Sequence, residues 1–244
     1  MKRLFIAMIA GLSLTGCGKE INYTTNFASA TFINASPSVT NSAPRPGINI
    51  FVDTLAKSAS VIAYRGSTGY LGIEPGSRKL ELRTNTTPTA VLFNAAAESF
   101  EVNKASSFII YDTLSTTNTS LKVLRLNDDL SLPTAGNIKV RFLHLANNAP
   151  AVDLTLVRTS VTPNDSVTLT NRSYIGASPV ASTLEPFATI PQGAYTLKVK
   201  LAGTQTVALT ASLSSLNAAN GIFTLYAAGT TQGQPLTANV VRNY

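Results

Sequence analysis

The sequence predicts an all-β protein: two tandem antiparallel β-sandwiches behind an N-terminal signal peptide. Three observations predict it. Apolar and polar residues alternate with a period of two, the mark of strands with one face buried. Four blocks of sequence recur in the same order at a spacing of about 110 residues, the mark of a duplicated unit. Only 13% of the 244 residues are charged, against a usual quarter or so. Ser, Thr and Asn supply the polar share instead, and they suit strand faces and turns.

The chain begins with Lys2 and Arg3, followed by an apolar run from Leu4 to Leu14. That run is too short to span a bilayer, which takes about 20 residues, and has the length of a signal peptide. Leu14-Thr15-Gly16-Cys17 then resembles the lipobox of bacterial lipoproteins: an aliphatic residue, two small ones and a cysteine. Small residues let a peptidase close on the backbone at the cut, and the thiol carries the diacylglycerol. A buried helix that happens to contain a cysteine would not explain the order of charge, apolar run and cleavage site. The resemblance implies that residues 1–16 are removed and that Cys17 is the lipid attachment, with the membrane as partner. Two or three acyl chains anchor stably where one is marginal. By the same resemblance, Gly18 in place of Asp implies the outer membrane. Lys19-Glu20 resembles a surface-export signal only weakly, so periplasmic and cell-surface orientations both stay open. Residues 17–27 read as a polar tether reaching roughly 15–20 Å.

Beyond the tether, Phe32–Pro37 aligns with Phe142–Asn147, and Gly47–Asp53 with Ala151–Val157. Tyr70–Leu82 aligns with Phe187–Val199, and Phe108–Tyr111 with Phe223–Tyr226. The expected domains are 28–133 and 138–244, joined where Pro133 and Gly136 punctuate Leu132–Gly136. Ile48, Ile50 and Val52 share one strand face, as do Val152, Leu154 and Leu156. Leu80 and Leu82 alternate with Lys79, Glu81 and Arg83; Leu197, Val199 and Leu201 alternate with Lys198 and Lys200. Pro75-Gly76 and Pro191-Gln192-Gly193 supply turns ahead of two of these strands. Short strands in this density, with no helical period, predict sandwiches with immunoglobulin-like connections. The Cys…Trp…Cys core of true immunoglobulin domains is absent, since the chain has one cysteine and no tryptophan. A single cysteine also excludes an internal disulfide, so the domains must stand on apolar burial.

Val140-Arg-Phe-Leu-His-Leu-Ala-Asn-Asn-Ala-Pro-Ala-Val-Asp153 resembles the opening signature of the DUF4397 family. Asn147-Asn148 stand where the family has Ser-Pro, and Leu145 is an extra residue. The first repeat keeps Asn34-Ala-Ser-Pro37, carries an insertion before the next strand, and has Asn49 where the Asp would stand. The resemblance spans both repeats. It implies exported or anchored proteins of uncharacterised function, and so adds fold and location but no chemistry.

Chemistry-bearing groups are sparse. The net charge of +7 includes Lys2 and Arg3, and no cluster of five or more basic residues occurs, which argues against nucleic acid as a partner. His144, the only histidine, lies between apolar neighbours; a triad with Asp153 and a serine would lack a Gly-x-Ser-x-Gly elbow, so a structural role is expected. No zinc ligand set exists. Asn127-Asp128-Asp129 reads as a polar turn, with a weak calcium site as the alternative. Asp153 and Asn49 are expected to cap the turns that precede them. Arg65-Gly-Ser-Thr-Gly69 lacks the Gly-Lys-Ser/Thr ending of a phosphate loop and reads as a hairpin or loop. Asp53-Thr54-Leu55, Asp112-Thr113-Leu114 and Asp165-Ser166-Val167 match an Asp-Ser/Thr-aliphatic O-glycosylation pattern, with chance occurrence in polar turns as the alternative. Tyr64, Tyr70, Tyr174 and Phe187 are candidates for stacking on sugar rings, with core packing the cheaper reading. The expectation is a non-catalytic envelope module for binding or scaffolding, without catalytic residue, metal or cofactor, and with a glycan or protein partner. The alternatives are a structural subunit of an outer-membrane complex or surface layer and, third, an enzyme.

Overall fold

A computed structural model describes residues 26–37, 47–85, 89–113, 121–229 and 235–244; Cys17 and most of the tether lie outside these residues. The first sandwich contains β1 (Ala28–Asn34), β2 (Ile48–Val52), β3 (Leu55–Ala56), β4 (Ser67–Ile73), β5 (Gly76–Thr84), β6 (Val91–Phe100), β7 (Ala105–Tyr111) and β8 (Lys122–Asp128). The second contains β9 (Asn137–His144), β10 (Val152–Arg158), β11 (Asp165–Arg172), β12 (Ala188–Pro191), β13 (Tyr195–Leu201), β14 (Val207–Leu213), β15 (Ile222–Ala228) and β16 (Thr237–Arg242). Helical structure among the described residues is one turn, α1 (Ala181–Leu184), and a 3-10 turn at Ser214–Asn217. No helix among them is long and apolar enough to cross a membrane.

The sheet order is the same in both halves. The first pairs β4-β1-β7-β8 and β3-β2-β5-β6; the second pairs β12-β9-β15-β16 and β11-β10-β13-β14. Pairing is antiparallel except at β1–β7 and β9–β15, which are parallel. The sequence suggested antiparallel pairing throughout. A parallel pair needs a long crossover, and here most of each sandwich is wound between the two partners.

The period-two residues behave as their pattern requires. Ile48, Ile50, Val52, Leu80 and Leu82 meet Phe32, Phe100 and Phe108 in the first core. Val152, Leu154, Leu156, Leu197 and Val199 meet Phe223 and Leu225 in the second. Pairing also tests the block alignment. Phe32 stands opposite Phe108, whereas Phe142 stands opposite Leu225, so the fourth block is offset by one pleat from its sequence match. A shift of two residues keeps every side chain on its face, which is why both registers fit the pattern.

A third apolar cluster joins the two halves. Ile33, Ile109, Tyr111, Leu124 and Leu126 pack against Leu143, Leu145, Tyr226 and Val241. The sheets holding β1 and β9 therefore lie back to back, and the sheets holding β2 and β10 face outward. Contacts across the seam fix the facing. Ser107 of β7 meets Arg141 of β9, Arg65 before β4 meets Tyr226 of β15, and Tyr70 of β4 meets Asn243 after β16. Asp112 beyond β7 bonds Asn147 beyond β9, and Asp129 beyond β8 pairs Lys139 at the start of β9. Corresponding ends of the two sandwiches thus lie together.

Candidate functional site

Among the described residues, polar side chains gather in the buried seam between the sandwiches and in a groove where that seam opens near Phe27.

At the seam, Arg141 and Asp128 form an ion pair with Nη1–Oδ1 2.7 Å, their side chains 1% and 0% exposed. Each also bonds to neighbours through its other polar atoms. Asp128 Oδ2 accepts from the Tyr70 hydroxyl at 2.5 Å and from Ser107 Oγ at 2.7 Å. Arg141 donates through Nη2 to Ser107 Oγ at 2.8 Å and through Nε to Thr224 Oγ1 at 3.0 Å. Thr224 donates to Asn243 Oδ1, and Asn243 Nδ2 donates to the Tyr70 hydroxyl, which closes the ring of bonds. Burial and the Asp128 charge push the Tyr70 phenol well above its ordinary range, so it remains a donor. The Asn127-Asp128-Asp129 stretch is therefore not one polar turn. Asp128 ends β8 and points into the seam. Asp129 is exposed, accepts from Lys139 and Ser131, and is held down to about 2, chiefly by Lys139. The two carboxylates do not converge, and among the described residues no group of three His, Cys, Asp or Glu side chains could hold a metal.

His144 ends β9 and is 2% exposed. Its Nε2 lies 3.0 Å from the Pro150 carbonyl, and its Nδ1 accepts the Ala146 N–H at 3.3 Å. A carbonyl can only accept, so Nε2 carries the proton and the ring is neutral. Burial lowers its pKa below 6.5. The ring staples the turn after β9, and Tyr174 packs against it edge-on. No hydroxyl or carboxylate bonds to it among the described residues, and Asp153 is engaged elsewhere. Asp153 accepts the N–H of Asn171 at 2.7 Å and of Gly203 at 2.9 Å. These bonds hold its pKa down. It does cap turns, but those at the end of β11 and between β13 and β14 rather than the segment before it. Asn49 stands on β2 opposite Arg83.

The remaining candidates scatter. Arg65–Gly69 runs from a turn into β4, and Thr68 Oγ1 accepts the Phe32 N–H. Of the glycosylation-pattern residues, Thr54 and Ser166 are exposed. Asp112 is buried and bound by Lys122 and Asn147, and Leu114 lies outside the described residues. Tyr64 and Tyr174 pack on the apolar seam, and Tyr70 belongs to the polar ring. Phe187 lines a cavity.

That cavity is the groove, about 1150 Å³ and open to solvent. The turn between β6 and β7 supplies Glu101, Asn103 and Lys104; the start of the fold supplies Phe27; the segment after α1 supplies Glu185 and Phe187. Arg141 lies over the Phe187 ring at 4.6 Å, so the polar ring and the groove share a wall. Sequence reasoning missed Phe27, whose signal was its place: a large apolar residue at the end of a polar tether. A second, smaller cavity of about 240 Å³ lies beside His144, lined by apolar residues such as Val152, Val199 and Leu236.

The model of a family described as a domain of unknown function, DUF4397, matches residues 28–155, which run from β1 into β10. No curated protein matches the chain. Among solved structures it is similar to a leucine-rich repeat protein from Bacteroides thetaiotaomicron, with 10% identity and TM-score 0.24, over 86% of this chain and 26% of that one. The chain thus spans about a quarter of that protein. It is similar to a family-26 carbohydrate-binding module from Eubacterium rectale, solved with maltoheptaose, with 10% identity, TM-score 0.26, and 88% and 97% of the two chains covered. A protein from Bacteroides uniformis, described provisionally as a cell adhesion protein, matches with 8% identity, TM-score 0.23, and 91% and 99% coverage. Agreement this loose carries no functional argument.

Proposed function

The chain belongs to the DUF4397 family, a domain of unknown function, and on that footing we propose that it is a non-catalytic module of the cell envelope. In this reading Cys17 carries lipid in the outer membrane, and two copies of one sandwich form the rigid body that the lipid holds there. The observation that carries the reading is the use of the polar side chains. His144, Asp128, Arg141 and Asp153 each spend their hydrogen bonds on holding turns or the seam. A general base needs a lone pair aimed at a substrate proton, but His144 Nδ1 is taken by the Ala146 N–H, Asp128 is closed inside the seam, and Asp153 is bound to two backbone N–H groups. What remains accessible is surface and groove, which suits holding a glycan or a protein.

The test is retention without turnover. Full-length chain in detergent is incubated with purified envelope polymers, peptidoglycan and surface polysaccharide, or with solubilised envelope proteins. The reading predicts that a polymer or protein co-sediments with the chain and is recovered at its original length. Shortening of a polymer or a protein in step with the amount of chain would contradict it.

A further inference from the structure

We infer that the groove beside Phe27 is a carbohydrate site for a neutral oligosaccharide of several units; this rests on the binding-module reading above. Two rings point to it. Phe27 and Phe187 belong to none of the three apolar clusters, although Phe32, Phe100, Phe108 and Phe223 all pack in cores. Both rings line the same groove. Phe27 is 49% exposed and lies over Gly72, where a Cβ would stand 3.8 Å from its ring. Phe187 is half-buried, with its ring against the Arg141 guanidinium. An apolar ring face held at a wet cleft matches the C–H face of a pyranose.

The polar lining fits the hydroxyls. Glu101, Asn103 and Lys104 are exposed, and among the described residues their side chains bond no other group. Together they offer an acceptor, an amide with both functions and a donor, as sugar hydroxyls require. The facing wall is already ordered, with Asn127 bonded to Glu185 at 2.8 Å and Asp129 to Lys139. Charge selects against the other ligand classes. Asp128, Asp129 and Arg125 are already paired with Arg141, Lys139 and Glu98, Glu185 accepts from Asn127, and the exposed Glu101 and Lys104 are of opposite sign, so neither an anion nor a cation meets a matched surplus, and the carboxylates do not converge as a metal needs. Small-molecule pockets run to about 300–1,000 Å³ and are mostly apolar. This groove is larger, open and mixed in its lining, which fits a chain of units rather than one compact ligand.

The test uses the full chain in detergent and an array of neutral gluco-, manno-, galacto- and xylo-oligosaccharides, four to seven units long. At least one binds, and Phe27→Ala weakens it by about tenfold, the loss expected for a central aromatic contact. Lys104→Ala weakens it less. Both positions are exposed, so the melting temperature of either variant stays at that of the parent; Phe187→Ala then repeats the loss from the second ring. Absence of binding across the array overturns the proposal. Binding that Phe27→Ala and Phe187→Ala leave intact overturns the site while leaving the binding-module reading standing. Displacement of the bound sugar by an acidic peptide overturns the neutral-ligand assignment.

Discussion

Arg141 shows how one residue can set the relation between two sandwiches. Burying a charge costs several kcal/mol unless it is paired and hydrogen-bonded, and Arg141 is both. Removing it strands Asp128. Arg141→Met is expected to lower stability by about 3–5 kcal/mol in urea unfolding, and the double change with Asp128→Leu to recover much of that loss. A cost within experimental error for Arg141→Met would show that water reaches the seam. His144 gives a pH prediction. Above pH 6.5 the folded and unfolded chains both carry the neutral ring. Below it the unfolded chain takes a proton that the buried ring resists, so stability falls as pH drops toward the folded pKa. Denaturation midpoints from pH 7.5 to 5 should fall less in His144→Gln than in the parent; equal slopes would mean that the ring is not the sensor. The structural role of His144 was legible from its apolar neighbours. That of Asp128 was not, because adjacent acids look alike. Its signal was the period: Leu124, Leu126 and Asp128 share one face of β8, and Arg141, Leu143 and Leu145 continue one face of β9.

At the scale of the strand, alternation marks the outer sheets and fails on the inner ones. β2 and β10 alternate cleanly, apolar inward, and were read correctly from sequence. β7 and β15 are buried on nearly every residue, because one face meets the sandwich core and the other meets the partner sandwich. Phe108-Ile-Ile-Tyr111 broke the alternation for that reason. Such an unbroken apolar run is the mark of a strand covered on both faces. The run aligns the two repeats and also marks a second covered face. The entry to β15 supplies a prediction. A Cβ on Gly221 would stand 2.3 Å from Phe223 Cε2, and Phe223 is a core residue of the second sandwich. Gly221→Ala should cost about 1–3 kcal/mol in denaturant unfolding by forcing that ring from its place. No measurable loss would mean that the ring can swing aside.

For the molecule as a whole, the seam makes the two sandwiches one body. An apolar cluster and a closed polar ring both cross it, so neither half can unfold without exposing core and an unpaired charge. Scanning calorimetry should show one transition with matching calorimetric and van't Hoff enthalpies; two separated transitions would mean that the halves stand alone. The duplicated pattern was legible because its apolar faces repeat. The docking was not, because it depends on contacts between residues far apart in sequence, such as Ser107 with Arg141. The groove was legible only in part. Phe187 was one of four stacking candidates by residue type, with core packing the cheaper reading, and its convergence with Phe27 exists only in space. In the function proposed above, this body works where Cys17 holds it. Cells expressing the full chain or Cys17→Ser are fed alkyne-tagged palmitate and fractionated. Label is expected on the parent chain in the outer-membrane fraction, together with an unlabelled, uncut Cys17→Ser precursor. Label on Cys17→Ser, or none on the parent chain, would contradict it.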